Sequence, residues 1–366
     1  MNIQIPRGEL LSALQSVIGV VERRQSLPIL SNILMVAQED ELVLTATDLE
    51  LQVERRVQVQ NLTPGRTTAP ARKLHDICRG LPEGATIGVE LSQNRLTMKS
   101  GRSRFTLATL DAGEFPSLNA AGAETKLTLT GKELKELLGR TQFAMAQQDV
   151  RYYLNGLLLE IRANRVRTVA TDGHRLAMAE LRRDTGVKKD LQVILPRKTV
   201  LELQRLIEAD DSEIQINLSA NQVQVDLDGL KLTSKLIEGR FPEYERVIPE
   251  GSDKTVHGDR GRVRAALSRA AILSNEKFRG VRLQLSNGTL RIQTQNPEQE
   301  EAEEEVEVQY NGAPLEIGFN VGYLLDALDA IEGNEFIMEL RSGDASGLVY
   351  DAANNANKYV VMPMRL

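Results

Sequence analysis

The chain has 366 residues, 41% of them apolar and 26% charged, with a formal net charge of −6. That is enough for two or three well-cored domains, and a single cysteine, Cys78, excludes an internal disulfide framework. No basic segment followed by an apolar run opens the chain. No window approaches the roughly 18 apolar residues of a membrane span, so a cytoplasmic location without membrane contact is expected.

In chain order, Gly8 to Ile18 carries Leu10, Leu11, Leu14, Val17 and Ile18 at helical spacing. Arg23 and Arg24 follow in a loop. Residues 33–36, 42–44 and 51–54 read as strands, with Glu39-Asp40 as a turn. After Pro64-Gly65 comes a short strand, a helix over 72–81, and strands near 85–91, 95–100 and 103–109. This stretch is two βαβββ halves. A second copy starts near Thr125, with a helix over 132–146, strands at 156–159 and 166–169, and a helix over 197–207. A third starts near Lys254, with a helix holding Val263, Ala266, Leu267, Ala270 and Ile272. Its Asn287-Gly288 is a strong hairpin signal. The last helix carries Val321, Leu324, Leu325, Leu328 and Ile331.

Three markers set the period. Asp48, Asp172 and Asn296 are 124 residues apart (172 − 48 and 296 − 172). Arg72 and Arg197 are separated by 125, and Phe115 and Phe241 by 126. A period this long implies three copies of a whole domain, placed at 1–124, 125–253 and 254–366. The expected fold class is α+β, with helix pairs on one face of antiparallel sheets. Three such domains form a crescent, and complementary ends close two copies head to tail into a ring.

The search for catalytic chemistry finds little. His75, His174 and His257 lack a second His or Cys at metal-ligand spacing, so no metal and no cofactor are expected. Lys132 follows Gly131, but the remaining P-loop positions do not match. Thr171-Asp172-Gly173-His174 reads as a turn in which Asp172 bonds the local backbone. The competing reading is an enzyme acting on DNA through Asp172 and His174. Basic residues recur on the helices: Arg72, Lys73 and Arg79; Lys132, Lys135 and Arg140; Arg197, Lys198 and Arg205; Arg260, Arg262, Arg264 and Arg269. Solvated helix faces explain any one of these. Together they suit phosphates held without sequence readout. Arg151 beside Tyr152 and Tyr153 suits stacking on a base, with strand packing the alternative. The acidic run from Glu298 to Glu305 leads into an alternating strand, and Lys99, Arg102 and Arg104 form its basic counterpart. A purely structural assembly protein would explain the repeat and the acidic edge, but not the basic helices.

Arg151-Tyr152-Tyr153-Leu154-Asn155-Gly156, Thr171-Asp172-Gly173-His174-Arg175-Leu176, Ser274-Asn275-Glu276-Lys277-Phe278-Arg279-Gly280-Val281, Asn296-Pro297-Glu298-Gln299-Glu300-Glu301-Ala302 and the terminal Val360-Val361-Met362-Pro363-Met364-Arg365-Leu366 are motifs of one family. Over its whole length the chain resembles the bacterial sliding clamps, the β subunits of DNA polymerase III. The resemblance implies a non-catalytic homodimeric ring of six domains. It would encircle double-stranded DNA without sequence specificity and confer processivity. Polymerase subunits, the clamp loader and repair proteins would dock through short linear peptides. The implied peptide pocket is Leu154, Thr171, Gly173, His174, Arg175, Leu176, Pro242, Arg246, Val247, Val360, Val361, Met362, Pro363 and Met364. Implied DNA contacts are Arg24, Arg72, Gln148, Tyr152, Tyr153 and Arg197. The implied dimer interface is Phe105, Leu107, Ile272 and Leu273, with charges from Arg102, Arg104, Glu298, Glu300, Glu301 and Glu304. Gln147 departs from the pattern, standing where some members carry His.

Overall fold

The computed structural model describes residues 1–22, 27–119 and 122–365. Among these residues the helices are α1 (Arg7–Val17), α2 (Ala71–Gly80), α3 (Gly131–Gly139), α4 (Arg197–Leu206), α5 (Arg260–Ala270) and α6 (Val321–Asp329). Each follows one strand and precedes three, giving the βαβββ order six times, with a short extra strand at Gln60–Thr63. Within each repeat the halves exchange their first strands. Asn2–Pro6, before α1, pairs with Thr86–Ser92, after α2. Gly65–Pro70, before α2, pairs with Asn32–Gln38, after α1. The same exchange recurs around α3 and α4 and around α5 and α6.

The chain divides into two compact units, and the division falls inside the second repeat. One unit is Met1–Lys132 with Leu201–Leu236, the other Glu133–Val200 with Ile237–Leu366. The first unit holds a five-stranded sheet ending in Ser103–Ala108 and an eight-stranded sheet. The eight-stranded sheet runs through two repeats because Leu51–Gln58 pairs antiparallel with Leu230–Lys235, with Leu232 opposite Val53. The second unit repeats the device. Arg175–Arg182 pairs with Asn354–Val361, placing Leu176 opposite Val360, and a separate four-stranded sheet ends in Glu301–Glu307. One rule covers both joins: the last strand of a repeat's first half pairs with the last strand of the next repeat's second half. Applied along the chain, the rule leaves Ser103–Ala108 and Glu301–Glu307 without such a partner, each at a sheet edge.

Helical periodicity sets the cores. Helix α1 packs on α2 and buries Leu10, Leu14 and Val17, with Leu74 and Cys78 from α2. Helix α5 packs on α6 and buries Val263, Leu267, Leu324 and Leu328. Each such aliphatic side chain contributes about 1.5–3 kcal/mol on burial. Burial pushes the Cys78 thiol up to about 12, as suits a packed side chain. Asp259 caps α5 by accepting from the Arg262 N–H, and Asn320 caps α6 by accepting from those of Gly322 and Tyr323. Asn287 and Gly288 both take positive φ, 40° and 80°, and join Ser286 to Thr289 in a two-residue hairpin.

Three helices stop clearly short of what their periodicity predicts: α5 ends at Ala270, leaving Ile272 in the 3-10 turn Ala271–Leu273, α6 ends at Asp329, short of Ile331, and α3 falls furthest short of its expected end. α3 was expected to reach residue 146, and it ends at Gly139. The buried Thr141 hydroxyl donates to the Leu137 carbonyl and meets the Thr168 hydroxyl at 3.1 Å. Such side-chain bonds compete with helix continuation, and Gln142–Ala144 forms a 3-10 turn instead.

On the sheet face of the second unit, a cross-strand row Gln192–Glu160–Arg167–Glu180 is directly opposed residue by residue. Glu160 is 1% exposed and accepts from Gln192 at 2.6 Å and from Arg165 at 3.2 Å. Burial pushes the Glu160 carboxyl up, but hydrogen bonds from Gln192 and Arg162 and the charges of Arg162 and Arg165 outweigh it. The net direction for Glu160, and likewise for Glu180 beside Arg182 and Arg167, is down. Carboxylates with depressed pKa values stabilise the fold above the unfolded value, and that contribution is lost as pH falls through the folded one. Thermal unfolding followed by circular dichroism should therefore hold steady from about pH 7 to about pH 5 and lose stability as pH falls below about 4. The Glu160→Gln/Glu180→Gln variant should start less stable at neutral pH and show a flatter pH dependence in that acid range.

Candidate functional site

The Thr171–Arg175 loop is built by its own side chains. The Thr171 hydroxyl donates to the Arg175 carbonyl at 2.6 Å and accepts from the Gly173 N–H at 3.1 Å. Asp172 Oδ1 accepts from the N–H groups of His174 and Arg175 at 2.9 and 3.1 Å. The first repeat makes the same loop: Thr47 serves Leu51 and Leu49, and Asp48 serves Glu50 and Leu51. In the third repeat Asn296 takes the capping role, accepting from the Glu300 N–H at 2.9 Å. The marker that sets the sequence period is thus a loop closed by a short polar side chain. Gly173 has φ +88°, and a Cβ there would meet the Arg151 guanidinium at 2.8 Å. In the first repeat Leu49 holds a similar φ of 78°. Glycine in the second repeat therefore answers to Arg151 as well as to the turn. With Asp172 committed to backbone and to Arg175 Nε at 3.1 Å, the loop has the character of a turn rather than an acid–base pair.

Arg175 lies at the centre of this site. Its guanidinium stands 4.4 Å from the Tyr323 ring centroid and 5.3 Å from that of Phe143. It pairs with Asp172 and Asp326 and donates to the Phe143 carbonyl at 2.6 Å. Cation–π contact on two rings with two carboxylates fixes one rotamer. Sequence reasoning missed Tyr323, Asp326 and Phe143. The first two lie on α6 outside its apolar stripe, a pattern that does not name a partner in another repeat.

The other expected pocket residues gather around this loop. Leu154, Leu176 and Val360 are buried in one cluster with Phe241 and Tyr244. Val361 is paired opposite Arg175. The tail then leaves the sheet: the Met362 N–H donates to the His174 carbonyl at 3.0 Å, and the Met364 N–H to that of Gly318 at 2.7 Å. Met362 remains exposed, as do His174, Pro242, Arg246 and Val247, while Thr171, Gly173, Pro363 and Met364 are half-buried. An open cavity of about 610 Å³ is lined by Arg246, Val247, Ile248 and Pro249 with Arg341 and Ser346, and by none of Leu154, Leu176, Val360 or the 362–364 tail. The arrangement is a buried apolar cluster flanked by exposed residues of the 242–247 segment, the Thr171–Arg175 loop and the tail.

The expected DNA contacts are more scattered. Gln148 has φ 54° at the head of a loop braced by Asp149, which accepts two hydrogen bonds from the Arg151 side chain. Those bonds hold the Asp149 carboxyl down at about 2. Tyr152 and Tyr153 lie in a 3-10 turn, not in a strand, with their rings edge to face at 5.8 Å. Tyr152 is 56% exposed. Arg197 donates to the Met145 carbonyl at 3.3 Å, and burial and then the charge of Arg175 pull its pKa down. Arg72 is an exposed residue whose guanidinium donates to the Val21 carbonyl at 3.0 Å. Arg24 lies outside the described residues.

The expected interface residues lie on or beside two sheet edges. On Ser103–Ala108, Arg104 is exposed, Phe105 half-buried and Leu107 buried, with Arg102 exposed just before it. Among the described residues neither arginine has an ion-pair partner. Near Glu301–Glu307, Ile272 is 77% exposed and Leu273 half-buried. Glu304 is already clamped by Arg269 through bonds of 2.7 and 2.6 Å, Glu300 is held by Asn296 and Glu301 by Gln295, while Glu298 is exposed. No helix of the described residues is long and apolar enough to cross a membrane.

Comparison with known proteins shows the family. Family models of the DNA polymerase III beta subunit match throughout: the N-terminal domain at residues 1–119, the central domain at 128–243 and the C-terminal domain at 245–365. The chain is 52% identical to the beta sliding clamp of Pseudomonas aeruginosa, with all of both chains covered. It superposes on a crystal structure of that organism's DNA polymerase III subunit beta with a TM-score of 0.97 at 52% identity over all of both chains. A Pseudomonas aeruginosa sliding clamp bound to griselimycin matches equally well, with a TM-score of 0.97, 52% identity and full coverage of both chains. A full-length match at this identity leaves one assignment: the chain belongs to the DNA polymerase III beta subunit family, the bacterial β sliding clamps.

Proposed function

We propose that two copies of this chain close head to tail into a ring around duplex DNA, three domains (1–124, 125–253 and 254–366) from each. The family is that of a processivity factor, not of the polymerising subunit. The observation that carries the ring is the strand-pairing rule. The repeats are joined by pairing the last strand of one first half with the last strand of the next second half. Continued past the end of the chain, the rule pairs Glu301–Glu307 of one copy with Ser103–Ala108 of the other. Their charges are opposite, with Arg102 and Arg104 against Glu298, Glu300, Glu301 and Glu304, which favours this register over like-with-like pairing. Phe105, Leu107, Ile272 and Leu273 would fill the apolar centre of each joint.

The ring holds DNA by topology, so its contacts can be weak and mobile. Arg24, Arg72, Gln148, Tyr152, Tyr153 and Arg197 would meet backbone and bases without reading sequence. Polymerase subunits, the clamp loader and repair proteins would seat a short peptide on the Leu154–Leu176–Val360 floor. Pro242, Arg246, Val247 and Met362 to Met364 would form its rims. Griselimycin, bound by the similar clamp, would take the same place here. The cytoplasm is the compartment this function requires.

Two experiments test these assignments. The Ile272→Ala/Leu273→Ala variant deletes apolar contact that closure would bury, about 0.8 kcal/mol per methylene. Sedimentation should show at least a tenfold rise in the dimer dissociation constant (about 1.4 kcal/mol), and an unchanged constant would contradict the joint. Removing Met362 to Leu366 should abolish griselimycin binding by calorimetry while the protein stays dimeric. Full affinity in the truncated protein would refute the pocket.

A further inference from the structure

The pocket rim that carries Pro242, Arg246 and Val247 has little regular structure of its own. It contains one 3-10 turn, Tyr244–Val247, and an isolated bridge between Ile237 and Ile194. A rim that must meet a ligand in one geometry needs an anchor, and the anchor is Tyr244. Its ring is 4% exposed within the cluster that includes Leu154, Leu176 and Val360. Its hydroxyl accepts from Arg167 Nη1 at 3.1 Å and donates to Glu160 at 3.4 Å. Arg167 Nη1 also donates to Glu245 at 2.9 Å.

Arg167 is fixed from behind. Its Nε donates to Glu180 on the neighbouring strand at 2.5 Å, and Glu160 is held by Gln192. The row therefore sits on the strands Gly156–Arg162, Arg165–Thr171 and Arg175–Arg182. Two of these end in Thr171 and Arg175, which carry the opposite rim. One sheet thus sets both rims, through main-chain continuity on one side and through Arg167 and Tyr244 on the other.

We infer that Arg167 and Tyr244 are positioning residues for the partner pocket, holding the 242–247 rim in its binding geometry without touching the ligand. This rests on the pocket reading above. Loosening the rim lowers the fraction of protein that is competent to bind, so apparent affinity falls by that fraction. The loss appears in the association rate, because a ligand once seated meets the same contacts.

The test uses the full-length chain, Tyr244→Phe, Arg167→Lys and the protein lacking Met362 to Leu366, with griselimycin as the probe on a biosensor. Tyr244→Phe deletes only the hydroxyl and keeps the ring in the core. It should slow association about fivefold or more and leave dissociation within about twofold, with an almost unchanged thermal midpoint. Arg167→Lys keeps a cation for Glu180 but cannot bridge to Tyr244 and Glu245 together, so it should act in the same direction. Wild-type association rates in both variants, with binding lost on tail removal, would overturn the positioning role and leave the pocket standing. A change confined to dissociation would also overturn it, since that is the mark of a direct contact. Undiminished binding by the tail-deleted protein would remove the pocket reading and this inference with it.

Discussion

Backbone hydrogen bonding at sheet edges is the constraint on which this molecule depends. An unpaired edge strand exposes a row of N–H and C=O groups and invites another strand. Here the last strands of the halves satisfy one another between repeats, Leu51–Gln58 with Leu230–Lys235 and Arg175–Arg182 with Asn354–Val361. The pattern is satisfied twice inside the chain and left open once at each end. Charge then distinguishes the two last-strand edges that this pattern leaves open, Ser103–Ala108 and Glu301–Glu307. Arginines mark one and glutamates the other, so in the proposed ring the same backbone chemistry that joins repeats would be steered towards a second copy in one orientation.

The second consequence of that pairing is the place of the proposed pocket. Where Arg175–Arg182 meets Asn354–Val361, the capped Thr171–Arg175 loop lies beside the emerging tail. Arg175 is drawn to Tyr323 and Asp326 on α6, so residues from two repeats converge on one guanidinium. The join that makes the sheet continuous therefore also brings loop, tail and α6 together at the proposed site.

Much of this was legible in the sequence because periodicities are local. The 124-residue spacing of Asp48, Asp172 and Asn296 marks loops that share one capping chemistry, and the alternating strands and the Asn287-Gly288 turn follow from short-range rules. What was not legible involves partners far apart in the chain. The end of α3 is decided by Thr141 meeting Thr168. Tyr323 and Asp326 gain meaning only beside Arg175. The rim anchor needs Tyr244 to reach Arg167, 77 residues away. Nothing in the pattern around any of these residues names the other member of its pair.

The central claim is that the chain acts as a closed ring held on DNA by topology. The most direct measurement loads the protein onto circular and linear duplexes with a clamp loader and ATP, then follows retention after the loader is removed. The account predicts long retention on the circle and rapid loss from the linear ends, with retention on linear DNA restored when the ends are blocked. Equal retention on both forms would mean that direct surface contact holds the protein, and would contradict the ring.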